Sequence, residues 1–496
     1  MATSIISRGS ETLDIWPRRP APKIEIDLVG QKPGLVNSYT TGDRIEGVAN
    51  ITVDHETRFD EIEIILQGNS STLVERVSCP GRTGAQHMFL KLRQPIEDSE
   101  YPTPRVFEGG RAYKFPFMFV VPDHLLPQVC THPKKNNQIH RAHTMLPPTL
   151  GDAMLSVNGK TLLDDMSPSM SQIAYIVRVG VMKRSSSDPR ITKALANVAK
   201  KIRIIPTMEE EPPIDTFGHT YYRTRNEKTV KRGFLRGKQG QMVAEAVQPK
   251  PIRLLPLKCE PCETVSTVAK VQLRFEPVGD EQPPRLGSMT SKMKSSTFYG
   301  CNPWEDFPSQ SNGVPFSQVG QGLFNESITL STMCVESAQW EKHSISDVER
   351  RDSVNSTVSD IPTSPSASFS GDTYYTASLV IPVSLPHSKV FVPTFHSCLM
   401  SRVYSLDLNL TYHTPGANVL TPSINLRLPV QIITEQKGID SVKSSLGVVV
   451  TQEEVDEFFR PHLNPIVSRT VIDVAAPPEY SETIARPNLR SVQATQ

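Results

Sequence analysis

The chain has 496 residues, with 53 Lys plus Arg against 52 Asp plus Glu and a net charge of +1. That balance speaks against the one-signed field of a duplex nucleic-acid binder. Proline is the compositional outlier, at 42 residues against 27 glycines. A residue that cannot donate to a helix or sheet ladder argues against long helices and for strand edges, loops and extended segments.

No run of about 18 apolar residues is present, so no transmembrane helix is expected. The best candidate, 115–126, is interrupted by Pro116 and Pro122. Glu11 and Asp14 stand where a signal peptide needs an apolar stretch. Seven cysteines, an odd and scattered set, do not form a disulfide framework. The expectation is a cytoplasmic protein in a reducing compartment, with membrane contact that is peripheral at most.

In chain order, 1–22 reads as a flexible N-terminus. Alternation then dominates, with Ile24, Ile26 and Leu28 set against Lys23, Glu25 and Asp27. Ile62, Ile64 and Leu66 repeat the period, and Tyr113, Phe115, Phe117, Phe119 and Val121 place a bulky ladder on one face. Two-residue periodicity of this kind predicts half-buried strands of antiparallel sheets. Residues 192–201 (TKALANVAKK) are the exception and predict a short helix with Ala194, Leu195 and Val198 on its apolar side. The basic stretch 216–244 reads as a linker.

Alternation resumes in Val265, Thr267, Ala269, Val271, Leu273 and Phe275. A weakly patterned gap runs over 279–312, and 344–370 is so poor in apolar residues that a disordered insertion is expected. Tyr404, Leu406, Leu408, Leu410 and Tyr412, then Ile424, Leu426, Leu428, Val430 and Ile432, predict two further strands. Residues 437–496 read as a polar tail, with one short helix over 452–459. The predicted fold class is all-β: a sandwich over 23–215, a second over 245–436, and a disordered C-terminal tail.

Catalytic signatures are missing from the sequence. Gly159-Lys160-Thr161 imitates a P-loop ending, but Met154 stands where the first glycine must bend around phosphate. Gly320-Gln321-Gly322 is followed by Asn325 in place of a third glycine. No Gly-x-Ser-x-Gly elbow occurs. Cys259-Glu260-Pro261-Cys262 has the spacing of half a zinc site, but no second Cys/His pair of comparable spacing lies nearby. It reads as two thiols at a strand edge. No enzyme, cofactor or metal is expected.

Binding signals are clearer. Pro477-Pro478-Glu479-Tyr480 is a PPxY pattern. The two prolines pre-set polyproline II, so little entropy is lost when an aromatic WW groove grips them, and Tyr480 enters a second pocket. Arg350-Arg351-Asp352-Ser353 suits a basophilic kinase, and Ser187, after Lys183-Arg184, is a poorer copy. Phosphate at either serine would add nearly two negative charges. Lys134, Lys135, His140 and Arg141 form a basic loop suited to an acidic cargo segment or lipid headgroup.

Several of these segments together resemble the α-arrestins, especially the arrestin-like proteins of filamentous fungi. They are Tyr39-Thr40-Thr41-Gly42-Asp43 with Ile45, Gly47 and Val48; 59–68 (FDEIEIILQG); and 113–117 running to Val121-Pro122 and Leu126-Pro127. Leu146-Pro147-Pro148-Thr149-Leu150-Gly151-Asp152 and 173–177 fit the fungal branch, and 391–398 with 401–404 resembles the C-terminal arrestin half. The resemblance implies a cytosolic adaptor. Its body would bind the cytoplasmic tail of a membrane transporter or receptor. Its PPxY would recruit a WW-domain HECT-type ubiquitin ligase, so that cargo is ubiquitinated and endocytosed. A trafficking coat scaffold, or a signalling arrestin for a seven-helix receptor, is the alternative expectation.

Overall fold

The computed structural model describes residues 21–31, 36–75, 81–151, 154–155, 162–185, 192–214, 216, 221–232, 237–254, 265–309, 320–344, 363–414, 421–434 and 481–484. Strands account for nearly all of the regular structure, alongside one α-helix and two 3-10 turns among the described residues. The all-β expectation holds.

The first sandwich faces a three-stranded sheet against a larger one. Strands Lys23–Leu28, Arg44–Thr52 and Ala112–Val120 pair antiparallel. The alternation Lys23-Ile24-Glu25-Ile26-Asp27-Leu28 becomes strict exposed–buried alternation. The opposing sheet runs in the order Ser38–Tyr39, Thr192–Ile204, Ser171–Arg184, Glu61–Glu75, Arg82–Arg93 and Ser481–Ile484. Phe115, Phe117, Ile45 and Ile51 meet Ile64, Leu66, Tyr175 and Val177 in one core.

The phenyl ring of Phe117 lies over Gly47, its cross-strand partner. A Cβ at Gly47 would stand 2.5 Å from that ring and 2.5 Å from the Asp27 carbonyl oxygen. Gly47→Ala is therefore expected to cost about 1–3 kcal/mol through overpacking. A urea midpoint indistinguishable from that of the unchanged chain would show that the sheet yields without strain.

The second sandwich is built from a five-stranded sheet in the order Arg225–Lys231, Lys238–Ala246, Ser266–Pro277, Thr373–Ser384 and Glu341–Ser344. Gln321–Cys334, Arg285–Gly300 and Met400–His413 pair in that order in the opposing sheet, and Met400–His413 also pairs with Ser423–Val430. Phe275, Leu273, Leu406, Leu408, Ile424 and Leu428 lie in its core.

Three expectations are corrected. Thr192–Ile204 is not a helix but a strand, paired antiparallel with Ser171–Arg184 from Tyr175↔Ile202 to Arg184↔Thr192. Tertiary pairing overrides its alanine-rich helix propensity. The linker read over 216–244 instead supplies Arg225–Lys231 and the start of Lys238–Ala246. Five of the seven side chains of Arg225–Lys231 are partly or fully exposed before Val230, which erases the alternation. The gap at 279–312 holds Arg285–Gly300, which buries Ser291, Ser295, Ser296 and Thr297 between two neighbouring strands. The short helix expected over 452–459 lies outside the described residues.

The two sandwiches touch through backbone and side chains. Thr72 donates its hydroxyl to the Gly300 carbonyl at 2.7 Å, and Cys301 Sγ lies 3.0 Å from the Thr83 carbonyl oxygen. Val392, Phe395, Leu399 and Met400, from the second half of the chain, pack into the first core.

Candidate functional site

The residues predicted to be functional fall in two places. Pro477, Pro478, Glu479, Tyr480, Ser353 and Ser187 lie outside the described residues, as do Cys259 and Cys262. The backbone that follows Tyr480 is described. Ser481–Ile484 pairs antiparallel with the edge strand Arg82–Arg93, with Ser481 opposite Gln86 and Ile484 opposite Thr83. A bare strand edge is a template for further pairing, and here the tail occupies it.

The basic loop is only partly a loop: Lys134 and Lys135 precede the helix Asn137–Thr144, which carries His140 and Arg141. Asn136 caps Asn137–Thr144 by accepting the Ile139 N–H at 2.9 Å, a capping arrangement that satisfies one orphan donor of the first turn. Ile139 is fully buried beneath it. The four basic residues do not form a free cationic face. Lys134 turns inward, donating to the Cys130 carbonyl at 2.6 Å and lying 3.6 Å from Cys130 Sγ. Lys135 pairs with Asp306 at 3.2 Å, and Arg141 with Glu209 at 3.0 Å. His140 sits on the helix, half-buried, and its carbonyl accepts the Thr144 hydroxyl.

Beneath this helix four sulfur and nitrogen atoms converge. Cys130 follows the 3-10 turn Pro127–Val129, and its N–H donates to the Pro127 carbonyl. His132 follows two residues later. His143 occupies the last turn of the helix. Cys398 arrives from the second half of the chain, in the turn joining Phe395–His396 to Met400–His413. That turn is pinned by Ser397 N–H to the Met400 carbonyl at 2.7 Å and by Trp304 N–H to the Cys398 carbonyl at 2.9 Å.

Cys130 Sγ is 3.2 Å from His132 Nε2 and 3.6 Å from His143 Nδ1, and the two imidazole nitrogens are 3.2 Å apart. With Cys398 Sγ, all four donor atoms lie within 4.8 Å of one another. Cys130, His143 and Cys398 are buried to within 2% of full burial. A hydrogen bond from Cys398, followed by those from His132 and His143, holds the Cys130 thiol far below the usual thiol range. Burial pushes His143 down, His87 to about 4 and His396 to about 3, so these imidazoles are neutral near pH 7.

Sequence reading missed this group. It weighed pairs of close spacing, whereas these ligands come from a turn, a loop, a helix and a distant hairpin. Cys130-x-His132 with His143 was a readable half, but only the fold brings Cys398 to it.

A separate cleft of about 500 Å³ opens on the second sandwich, where Tyr221, Arg223, Lys292, Asp407 and Arg427 line it. Arg427 grips Asp407 with two bonds, at 2.6 and 3.2 Å, and lies 4.8 Å from the centre of the Tyr221 ring. Arg223 donates to the Asn425 side chain. Among the described residues no helix is long and apolar enough to cross a membrane. Comparison with protein-family models finds no matching family, and a search of curated proteins finds no match.

Proposed function

We propose that this chain is a non-catalytic, cytoplasmic adaptor whose tail recruits a WW-domain HECT-type ubiquitin ligase to cargo held by the sandwiches. The observation that carries the reading is Pro477-Pro478-Glu479-Tyr480, placed after two folded β-sandwiches. The two prolines supply the pre-ordered extended ligand such a groove requires. The backbone directly beyond Tyr480, Ser481–Ile484, pairs with the Arg82–Arg93 edge of the first sandwich.

The gain is one of effective concentration. A ligase tethered at the tail meets lysines on a bound transporter or receptor tail as an intramolecular partner. The cleft with Arg223 and Lys292 suits an acidic stretch of such a tail. An arrangement of this kind needs no catalytic residue, in keeping with a sequence that carries no complete catalytic motif.

Tyr480→Ala is expected to weaken binding of a WW-domain array to the full chain by about 30-fold, a loss of about 2 kcal/mol typical of an aromatic anchor. The thermal midpoint should stay unchanged. Equal WW binding by the variant and the unchanged chain would remove the ligase-recruiting role.

A further inference from the structure

We propose that Cys130, His132, His143 and Cys398 form a structural zinc site that clasps the first sandwich to the second. The donor set is the starting point. Two thiols and two imidazoles make a tetrahedral S2N2 set, the combination that selects zinc among the common divalent ions. Ligand atoms about 2.0–2.3 Å from a tetrahedral centre stand about 3.3–3.8 Å apart. Among Cys130, His132 and His143 the separation of 3.6 Å falls within that range and the two of 3.2 Å fall just below it.

Ligand orientation is the second, independent observation. His132 Nδ1 lies 2.9 Å from the Pro133 carbonyl oxygen. A carbonyl only accepts, so Nδ1 carries the proton and Nε2 turns its lone pair toward the cluster. Metal-bound histidines are held in this way, through the ring nitrogen that does not ligate. Lys134 adds a cation 3.6 Å from Cys130 Sγ, placed to share the charge of a thiolate.

The site is closed. Three ligands are buried, and four protein donors complete a tetrahedron, leaving no position for substrate. The role is therefore cross-linking. Cys130, His132 and His143 belong to the first half of the chain, while Cys398 sits on the hairpin that pushes Phe395, Leu399 and Met400 into the first core. Zinc would bind both sulfurs as thiolates, with any remaining thiol proton passing to solvent, and add its free energy to the contact between the halves. A Cys130–Cys398 disulfide is the competing use of the same thiols, but it gives no role to the two imidazole nitrogens that face them.

The test uses the full chain, untagged by histidine and purified under reducing conditions. Elemental analysis should find about one zinc per chain. Cys398→Ser and His143→Ala should lose it, and Cys259→Ser with Cys262→Ser should keep it. Cobalt added to chelator-stripped protein should give the intense visible bands of a four-coordinate site, with a thiolate-to-metal charge-transfer band that zinc abolishes. The cobalt spectrum decides the matter in the unchanged chain even where a ligand variant fails to fold. Zinc-free protein that binds no cobalt, a Cys130–Cys398 disulfide found by non-reducing mass spectrometry, or metal kept by Cys398→Ser but lost with Cys259 and Cys262 would each overturn the assignment. The outcome is independent of whether the tail binds a ligase.

Discussion

Arg274→Ala is expected to destabilise the chain by about 3–5 kcal/mol, the cost of stranding a buried charge by removing its partner. Arg274 and Glu276 are two apart on Ser266–Pro277, so both face away from the core side held by Leu273 and Phe275. That outer face is nevertheless covered. The two side chains are only 7% and 3% exposed, with Arg274 Nε 2.9 Å from Glu276 Oε1.

The cover is the returning chain that leads into Thr373–Ser384, together with Tyr374 at the start of that strand. The guanidinium lies 3.8 Å from the centre of the Tyr374 ring and 4.9 Å from that of Phe369, and it donates to the Thr363 carbonyl at 3.4 Å. Glu276 accepts the Ser366 N–H at 2.9 Å and the Ser366 hydroxyl. Alanine at 274 removes the stacking and leaves the Glu276 carboxylate without a counter-charge in a site closed to water. Urea unfolding measures the loss, and amide exchange over 363–370 should rise with it. A change under about 1 kcal/mol, within the range of an exposed pair, would mean that this cover opens freely to solvent.

This anchor also shows where reading from sequence stops. The stretch 344–370 is polar enough to predict disorder throughout, yet Thr363 and Ser366 are buried against Arg274 and Glu276. Their burial depends on charged partners some ninety residues away, which hydropathy does not register. By contrast, Val271, Leu273 and Phe275 alternate with polar neighbours on one strand, and that local period is enough to place them in a core.

Thr192–Ile204 fails for a related reason. Only its last three residues are buried, so the outer part shows no alternation, and its alanines suggest a helix. The neighbour that makes it a strand, Ser171–Arg184, is visible in sequence only as a strand of its own. The Cys/His group is harder still. Its chemistry is written in residue types, but its geometry exists only once the two halves of the chain meet.

Arg402→Ala is the second large loss, expected at about 3–5 kcal/mol from two charge-assisted hydrogen bonds worth about 1.5–3 kcal/mol each and the carbonyls left unpaired. Arg402 is completely buried. It donates to the carbonyls of Asp165 at 3.0 Å and Met166 at 3.2 Å, joining Met400–His413 to a turn of the first half of the chain. That turn is shaped to receive it. Met166 adopts φ of 59°, and the buried Asp165 carboxylate accepts the Gly151 N–H at 2.7 Å and the Ser167 hydroxyl at 2.6 Å.

The same turn has a second, more exposed tether. Lys389 bridges Asp164 at 2.7 Å and Glu326 at 2.9 Å. Those bonds raise the Lys389 pKa. For Asp164, burial pushes upward, but Lys389 and the Met166 N–H outweigh it and hold the pKa low. The lysine's contribution is present below its unfolded value near 10.5 and is lost as pH rises through the higher folded value. That of Asp164 is present above 3.8 and is lost as pH falls through the lower folded value.

Between those limits the tether is insensitive to pH, and Lys389→Ala should cost no more than about 1 kcal/mol. Paired urea curves near pH 7 separate the two tethers. A deep loss for Arg402→Ala beside a shallow one for Lys389→Ala would place the strength of the contact in the buried arginine. Equal losses would instead make the joint a surface ion-pair network, and its strength should then fall with added salt.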